Sequence, residues 1–171
     1  MKKVLIIFFT WPILFMGQTS TKNSCWKKQS YEKYNHVNFS KLEEINQTIN
    51  FNKIDYPLLH ASIFFLTNKE RAKRKKEIIS WNKNLEIASF NHSKMMAELK
   101  FFSHNSKLKK RKEPEDRAKI AGITNPFIAE NIAKTPVDSQ DTYLSLSKKI
   151  VTQWMNSPGH KSNILSKEAL E

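Results

Sequence analysis

Apolar side chains recur every three or four residues in three stretches of the chain, which is typical of helices with one buried face. The first stretch covers residues 57–76, opens on a proline and closes on cations that suit a helix C-terminus. The second follows a capping asparagine, Asn82 or Asn84, and continues through Leu99. The third begins near 141–142 and is expected to end at Pro158 and Gly159. The pattern therefore predicts three long helices.

Shorter elements lie between the second and third stretches. Pro114, followed by two acidic residues, favours a short helix that stops near Gly122. The run from 127 to 133 has the apolar content of a short extended segment. Long helices with short extended pieces between them predict the α+β class rather than an alternating parallel-sheet fold.

The N-terminus has the pattern of an export signal. Lys2 and Lys3 precede an uncharged run of 13 residues, 4–16, which is shorter than the ~20 residues that span a bilayer as a helix. We expect residues 1–17 to be a signal peptide cut between 17 and 20, with no membrane span left in the mature chain. An N-terminal membrane anchor is the alternative. Residues 18–56 are polar and are expected to form an extension that packs on the domain only in patches.

Composition narrows the function classes. The chain has 171 residues, 29 Lys+Arg and 16 Asp+Glu, so 29 − 16 gives a formal charge of +13. One cysteine excludes an intramolecular disulfide framework and a cysteine-based zinc ribbon. The three glycines, Gly17, Gly122 and Gly159, are too scattered to form a phosphate-binding loop.

Most of the local charge excess lies in two runs, 69–76 and 107–112. A solvated, solubilising surface is the simpler interpretation. The alternative is attraction to anionic envelope polymers or to lipid headgroups. Nucleic acid is not expected as a partner, because export removes the protein from it and no stacking or groove-reading motif is present.

Candidate chemistry is limited to five histidines and the carboxylates near them. His36 and His60 carry no functional signal, and His92 lies in an apolar helical stripe where a hydrogen-bonded core histidine is the default. His104 follows two phenylalanines just past the end of a predicted helix, and His160 follows Pro158 and Gly159. Residues at such junctions can point into a cleft.

Glu130 is the remaining candidate. It stands between Ile128 and Ile132, which share its face if this stretch is extended. A carboxylate on an apolar face needs a cation or a hydrogen-bond donor, or its pKa must rise. His104 and Glu130 are 26 residues apart, and Glu130 and His160 are 30 residues apart. Such separations are not the short spacings of a chelating motif, so the sequence alone does not place the three residues in one site.

Three segments carry a resemblance to a known family. Phe-Phe-Ser-His at 101–104, Ala-Glu-Asn-Ile-Ala at 129–133 and Trp-Met-Asn-Ser-Pro-Gly-His-Lys-Ser-Asn-Ile-Leu at 154–165 resemble the signature segments of the bacterial, secreted branch of the CAP superfamily, whose module is also called the SCP domain. The superfamily takes its name from cysteine-rich secretory proteins, antigen 5 and pathogenesis-related-one proteins. The resemblance covers 57–171.

The resemblance implies an α-β-α sandwich with a small antiparallel sheet and a central cleft that can bind zinc or another divalent cation. By motif, His104, Glu130 and His160 match cleft residues, with Asn131, Ser157 and Asn163 as their neighbours. Ser157 stands where the family usually has a second acid, and Ala129 where it often has a glycine. The chain stops six residues after Leu165, short of the C-terminal strands that the family pattern implies.

These features predict a secreted or periplasmic, envelope-associated protein. The leading hypothesis is a non-catalytic binding module at the bacterial cell envelope, with a cleft that can take a divalent metal. One alternative is a zinc-dependent extracellular hydrolase, in which His104, Glu130 and His160 hold the metal. Another, taken from the family alone, is a lipid- or sterol-binding protein.

Overall fold

The computed structural model describes the backbone of residues 3–11, together with residues 24–124, 126–169 and 171. Seven helices and two strands follow one another along these ranges. They are β1 (Lys3–Trp11), α1 (Ser30–Lys33), α2 (Glu43–Asn46), α3 (Tyr56–Lys73), α4 (Lys83–Glu98), α5 (Pro114–Ile120), β2 (Ile128–Pro136), α6 (Tyr143–Met155) and α7 (Pro158–Ile164), with short 3-10 turns at Phe39–Lys41 and Lys109–Arg111.

Each of the three long helices begins at a side chain that caps it. Asp55 accepts a hydrogen bond from the backbone N–H of Leu58 at the start of α3. Asn82 accepts from two backbone N–H groups at the start of α4. Thr142 and Ser145 bond reciprocally at the start of α6. These caps satisfy N–H groups that no helical carbonyl can reach, and the three predicted helices are confirmed.

The main core lies where α3 packs on α6. Its largest fully buried apolar side chains include Leu59 and Ile63 of α3 and Leu146, Ile150 and Trp154 of α6. The Trp154 indole N–H donates to the carbonyl oxygen of Ile132 at 3.1 Å, so the polar atom of this buried ring is satisfied. This contact ties α6 to β2.

The polar extension reaches the same core through four separate side chains, while its other described residues stay at least partly exposed, in keeping with the prediction that it packs in patches. Trp26, Phe39, Ile45 and Ile49 are each buried within the main cluster. In the sequence they are isolated among polar residues, so no window shows a periodic stripe. Short helical turns bring these separate side chains to one side of the chain, and their burial gives the extension a stabilising role.

Strand β2 separates the main core from a second, smaller one. Ala133 faces the α3–α6 cluster, whereas Ile132 packs with Leu85 of α4 and Ala118 of α5. Successive residues of a strand point to opposite faces, so Glu130 shares the α4–α5 side with Ile132. Helices on both sides of a short strand confirm the α+β class.

The pairing of β2 differs from the antiparallel sheet that the resemblance implies. Among the described residues β2 pairs with β1 in parallel, with residue 5 opposite Glu130. An antiparallel bridge joins Thr48 to Thr142. Parallel pairing is possible because the long helical connection between the strands returns the chain to the same end of the sheet. The predicted signal peptide overlaps β1, and its cleavage point between 17 and 20 lies outside the described residues.

The chain after α6 also differs from expectation. Pro158 and Gly159 were expected to end the third helix, and α6 does end at Met155, but they also form the first turn of α7, directly after Ser157. Proline is well suited to the first helical position because its missing N–H has no helical partner there. His160 therefore lies in a helix rather than in a turn. In the part of the chain that the structure describes, no helix is long and apolar enough to cross a membrane.

Candidate functional site

Glu130 lies at the centre of the candidate site, on the α4–α5 side of β2. Its side chain is 2% exposed. One carboxylate oxygen, Oε2, accepts from Nη2 of Arg117 at 2.5 Å, and the other, Oε1, accepts from Nδ1 of His104 at 2.8 Å. A buried carboxylate is costly unless it is paired and hydrogen-bonded, and of the three expected alternatives the structure supplies both a cation, Arg117, and a hydrogen-bond donor, His104.

Arg117 is the functional residue that sequence reasoning did not identify. It lies in α5, and its side chain is 3% exposed. Besides its contact with Glu130, it donates through Nη1 to the carbonyl oxygens of Lys112 at 2.8 Å and Arg111 at 3.2 Å. The need for a cation could be inferred from Glu130, but nothing local to the sequence distinguishes this arginine from the many other cations.

His104 is the exposed member of the site. It lies in the loop after α4, and half of its side chain is exposed. A carboxylate can only accept, so the ring carries its proton on Nδ1, and Nε2 is the nitrogen available to a ligand. The adjoining loop is anchored, because the Nε2–H of His92 donates to the carbonyl oxygen of Ser103 at 3.0 Å.

His92 is a buried core histidine, as predicted. The residue is fully buried in α4 and also packs edge-on to the ring of Phe101. Burial lowers its pKa, and the charge of Arg117 lowers it further. His92 is therefore neutral near pH 7 and supports the loop that carries His104.

The other motif residues attach α7 to β2. Asn131 donates through Nδ2 to the carbonyl oxygen of His160 at 3.1 Å. Asn163 donates to Oδ1 of Asn131 at 2.9 Å and more weakly to the carbonyl oxygen of Glu130 at 3.4 Å. Ser157 is half-buried at the N-cap position of α7. The two asparagines are thus engaged in holding backbone, and they attach the first turns of α7, including the His160 backbone, to β2.

His160 lies close to His104 without joining the His104–Glu130 contact. Burial lowers the pKa of His160, and the nearby His104 lowers it further. Its Nδ1 is buried without a hydrogen-bond partner among the described groups. The structure thus brings His104 and Glu130 into direct contact and places His160 near His104.

The donor set can be tested against the zinc site that the resemblance implies. Among the residues that the structure describes, no group of three or more His, Cys, Asp or Glu side chains has an arrangement that could hold a metal ion. Both oxygens of Glu130 are already engaged, so this carboxylate serves as an outer partner of His104. His104 itself fits a ligand role, because a carboxylate on Nδ1 fixes the ring with Nε2 outward. Two imidazoles, His104 and His160, are then the groups that could bind zinc.

Cys25 does not add a nucleophile. Its Sγ donates to Oδ2 of Asp55 at 3.4 Å, near the start of α3. Burial, followed by the charge of Asp55, raises the pKa of the thiol to about 11. The thiolate, which is the reactive form, is therefore scarce near neutral pH.

Comparison with known proteins shows what the chain as a whole is similar to. The model of a family named CAP and described as the cysteine-rich secretory protein family matches residues 64–169. The uncharacterized protein YkwD of Bacillus subtilis (strain 168) is 34% identical over 101 residues, which are 59% of this chain and 35% of that protein. The uncharacterized membrane protein YlbC of the same organism is 31% identical over 106 residues, which are 62% of this chain and 28% of that protein.

A solved structure also resembles the chain. It is the crystal structure of an extracellular protein containing a SCP domain from Bacillus anthracis str. Ames, with a TM-score of 0.54 and 25% identity over 65% of this chain and 36% of that one. The chain spans about a third of the length of each of these three relatives.

Proposed function

The chain belongs to the CAP family, and we propose that it is an extracellular binding module of the bacterial cell envelope that holds its ligand at His104. Two observations support the location. The Bacillus anthracis neighbour is named as an extracellular protein, and two lysines followed by a short apolar run open this chain. Binding, rather than catalysis, is argued from the state of Glu130.

The proposal rests on the inaccessibility of the Glu130 carboxylate to a ligand. A general base must reach the proton that it removes, within hydrogen-bond distance of the substrate. Glu130 is 2% exposed, and each oxygen already accepts a bond from within the protein. What the site presents to a ligand is the imidazole of His104, held in one tautomer. Such a fixed ring suits hydrogen-bonded recognition.

Cosedimentation with purified bacterial cell walls tests this proposal. We expect the wild-type chain to sediment with the walls and His104→Ala to bind several-fold more weakly. His36→Ala is the matched control, since His36 lies in the extension and should bind like the wild type. Equal binding by His104→Ala, with the fold intact by circular dichroism, would contradict a ligand site at this residue.

A zinc-dependent hydrolase is the second candidate, and one contact favours it. Glu130 accepts a hydrogen bond from Nδ1 of His104. In this arrangement a carboxylate orients a metal-binding imidazole. His104 and His160 would hold the metal. Zinc bound there would supply Lewis-acid chemistry. The residues of this chain would fix the ring of His104 through Glu130 and Arg117.

Zinc titration of the purified chain by calorimetry separates the two candidates. The hydrolase hypothesis requires one zinc per chain, lost in both His104→Ala and His160→Ala and retained in His36→Ala. Absence of zinc binding to the wild type would reject the hydrolase and leave the binding-module proposal standing. Loss of cell-wall binding in a chain that still binds zinc would show that the two properties are independent.

A further inference from the structure

An exposed surface of mixed character lies beside the site, on the outer side of α4 and α5. We name it the α4–α5 face, and it comprises the exposed aliphatic residues Ile87, Leu108 and Ile120 and the cations Lys107, Lys109, Lys110, Arg111 and Lys112. The three aliphatic side chains are 42%, 46% and 56% exposed. Segment 99–112 carries six cations and no acidic residue. Aliphatic and cationic groups are therefore interleaved over one surface.

Contacts across a groove show that these residues share one side of the molecule. Ile87 of α4, Ile120 of α5 and Arg111 of the 3-10 turn line the same small groove, together with Met95. Leu108 is held close to it, because Ser106 accepts from the N–H of Leu108 and donates to the sulfur of Met95 at 2.9 Å.

The cationic loop is held in a defined conformation. The buried Arg117 donates to the carbonyl oxygens of Arg111 and Lys112, and the N–H of Ser106 donates to the same Lys112 carbonyl at 2.9 Å. Lys107 donates to the carbonyl oxygen of Leu99 at 2.8 Å. Since the backbone is fixed, little ordering is needed when the surface meets a partner.

Acidic neighbours offset part of this charge. Glu113, Glu115 and Asp116 follow the loop, and Glu113 lies 3.7 Å from Lys112. Asp116 accepts from the N–H of Glu113 within the cap of α5. Five cations against three acids still leave an excess from 107 to 116, within a chain of net charge +13.

We infer that the α4–α5 face docks on the surface of an anionic lipid bilayer. Cations next to a bilayer are attracted to anionic headgroups, while exposed aliphatic side chains gain by entering the acyl boundary. A soluble polyanion would use the cations and leave Ile87, Leu108 and Ile120 in water. The aliphatic residues therefore favour a bilayer, and the inference is independent of the ligand proposed at His104.

A fluorophore attached at Leu108 tests insertion at this location. The chain has one cysteine, so Cys25→Ser provides a background in which Leu108→Cys carries an environment-sensitive label. With vesicles of equal parts phosphatidylglycerol and phosphatidylcholine, we expect a blue shift and a rise in emission, and no change with phosphatidylcholine alone. Val37→Cys, at a residue 69% exposed in the extension, is the matched control and should not respond. This local readout separates the face from the apolar N-terminal run.

Vesicle cosedimentation tests the charge. Each cation near an anionic surface strengthens binding about fivefold, so Lys109→Ala/Lys110→Ala should bind roughly twentyfold or more weakly at low salt. Lys27→Ala/Lys28→Ala removes the same charge from two exposed lysines elsewhere and should have a much smaller effect. No response at Leu108, or an equal response at Val37, would overturn the inference. Equal losses in the two lysine pairs would do the same, as would binding to soluble polyphosphate with no response at Leu108 to anionic vesicles.

Discussion

Two histidine–glutamate pairs occur among the described residues, and they are built in opposite ways. In the first, Nδ1 of His60 lies 3.1 Å from Oε1 of Glu86, with side chains 11% and 21% exposed. In the second, Nδ1 of His104 lies 2.8 Å from Oε1 of Glu130, with side chains 50% and 2% exposed. The first pair encloses its imidazole and joins α3 to α4. The second encloses its carboxylate and presents the imidazole.

The second partner of each carboxylate accounts for the difference. Glu86 accepts from the neutral indole N–H of Trp81 at 2.6 Å, which suffices for a carboxylate that still meets solvent. The Glu130 carboxylate is buried away from water and is paired with the guanidinium of Arg117. A fully buried carboxylate needs a countercharge. With Arg117 as its countercharge, the Glu130 carboxylate is a fixed support for the exposed ring of His104. The same two residue types thus make an interhelical contact in one place and a candidate site in the other.

Removing the countercharge is expected to have the largest effect. Arg117→Met leaves Glu130 buried and unpaired, and we expect it to lower the free energy of unfolding by about 3–5 kcal/mol, measured by urea denaturation. Arg111→Met, an exposed arginine in the adjacent turn, is the control and should change it by less than about 0.5 kcal/mol. The double variant Arg117→Met/Glu130→Gln should recover part of the loss. A loss below about 1 kcal/mol in Arg117→Met would contradict a charge-paired Glu130.

The matching change in the first pair should cost less. Glu86→Gln keeps the shape and removes the charge of a carboxylate that is partly solvated, so we expect a loss of about 1 kcal/mol in the same denaturation experiment. Zinc or cell-wall binding at His104 should be unaffected. A loss as large as that of Arg117→Met would show that both carboxylates depend equally on their charge.

Mild acid should lower the free energy of unfolding, because the fold keeps two histidines neutral. The pKa values of His92 and His160 are lowered in the folded chain, chiefly by burial. The unfolded chain therefore binds more protons near and below about pH 6.5, so this contribution is fully present above that pH and is lost as the pH falls. Urea denaturation between pH 7.5 and 5 should show the decline. His92→Gln should reduce it, and an unchanged slope would exclude His92 as a source.

The smallest effect on stability is expected at His104, the most exposed member of the candidate site. His104→Ala removes a half-exposed ring and opens Oε1 of Glu130 to water, which replaces the lost donor, so we expect a change in the free energy of unfolding below about 1 kcal/mol, by urea denaturation at pH 7.5. Relative to the stability that is lost, His104→Ala should nevertheless weaken ligand binding more than any other of these variants. A large destabilisation would instead assign His104 a structural role like that of His60.

Local patterns predicted much of the fold. The cap of α4, predicted at Asn82 or Asn84, and the helical spacing of α3, α4 and α6 are encoded within a few residues, so the sequence marks them directly. The end of α6 near Pro158 was predicted, but the start of α7 at this residue was not, because a proline suits both positions and only the neighbouring backbone distinguishes them. The burial of Trp26 and Phe39 has no local signal, because it depends on what α3 and α6 leave uncovered.

By itself, the amino-acid sequence determined the α+β class, the family resemblance and the identity of the motif residues His104, Glu130 and His160, since spacing and residue type are local properties. Only the tertiary structure decided that Arg117 pairs with Glu130 and that Glu130 holds Nδ1 of His104. Those partners are separated by 13 and 26 residues. A charge pairs with whichever group the fold brings near it, and burial, which no short window of sequence records, sets how strongly the pairing is needed.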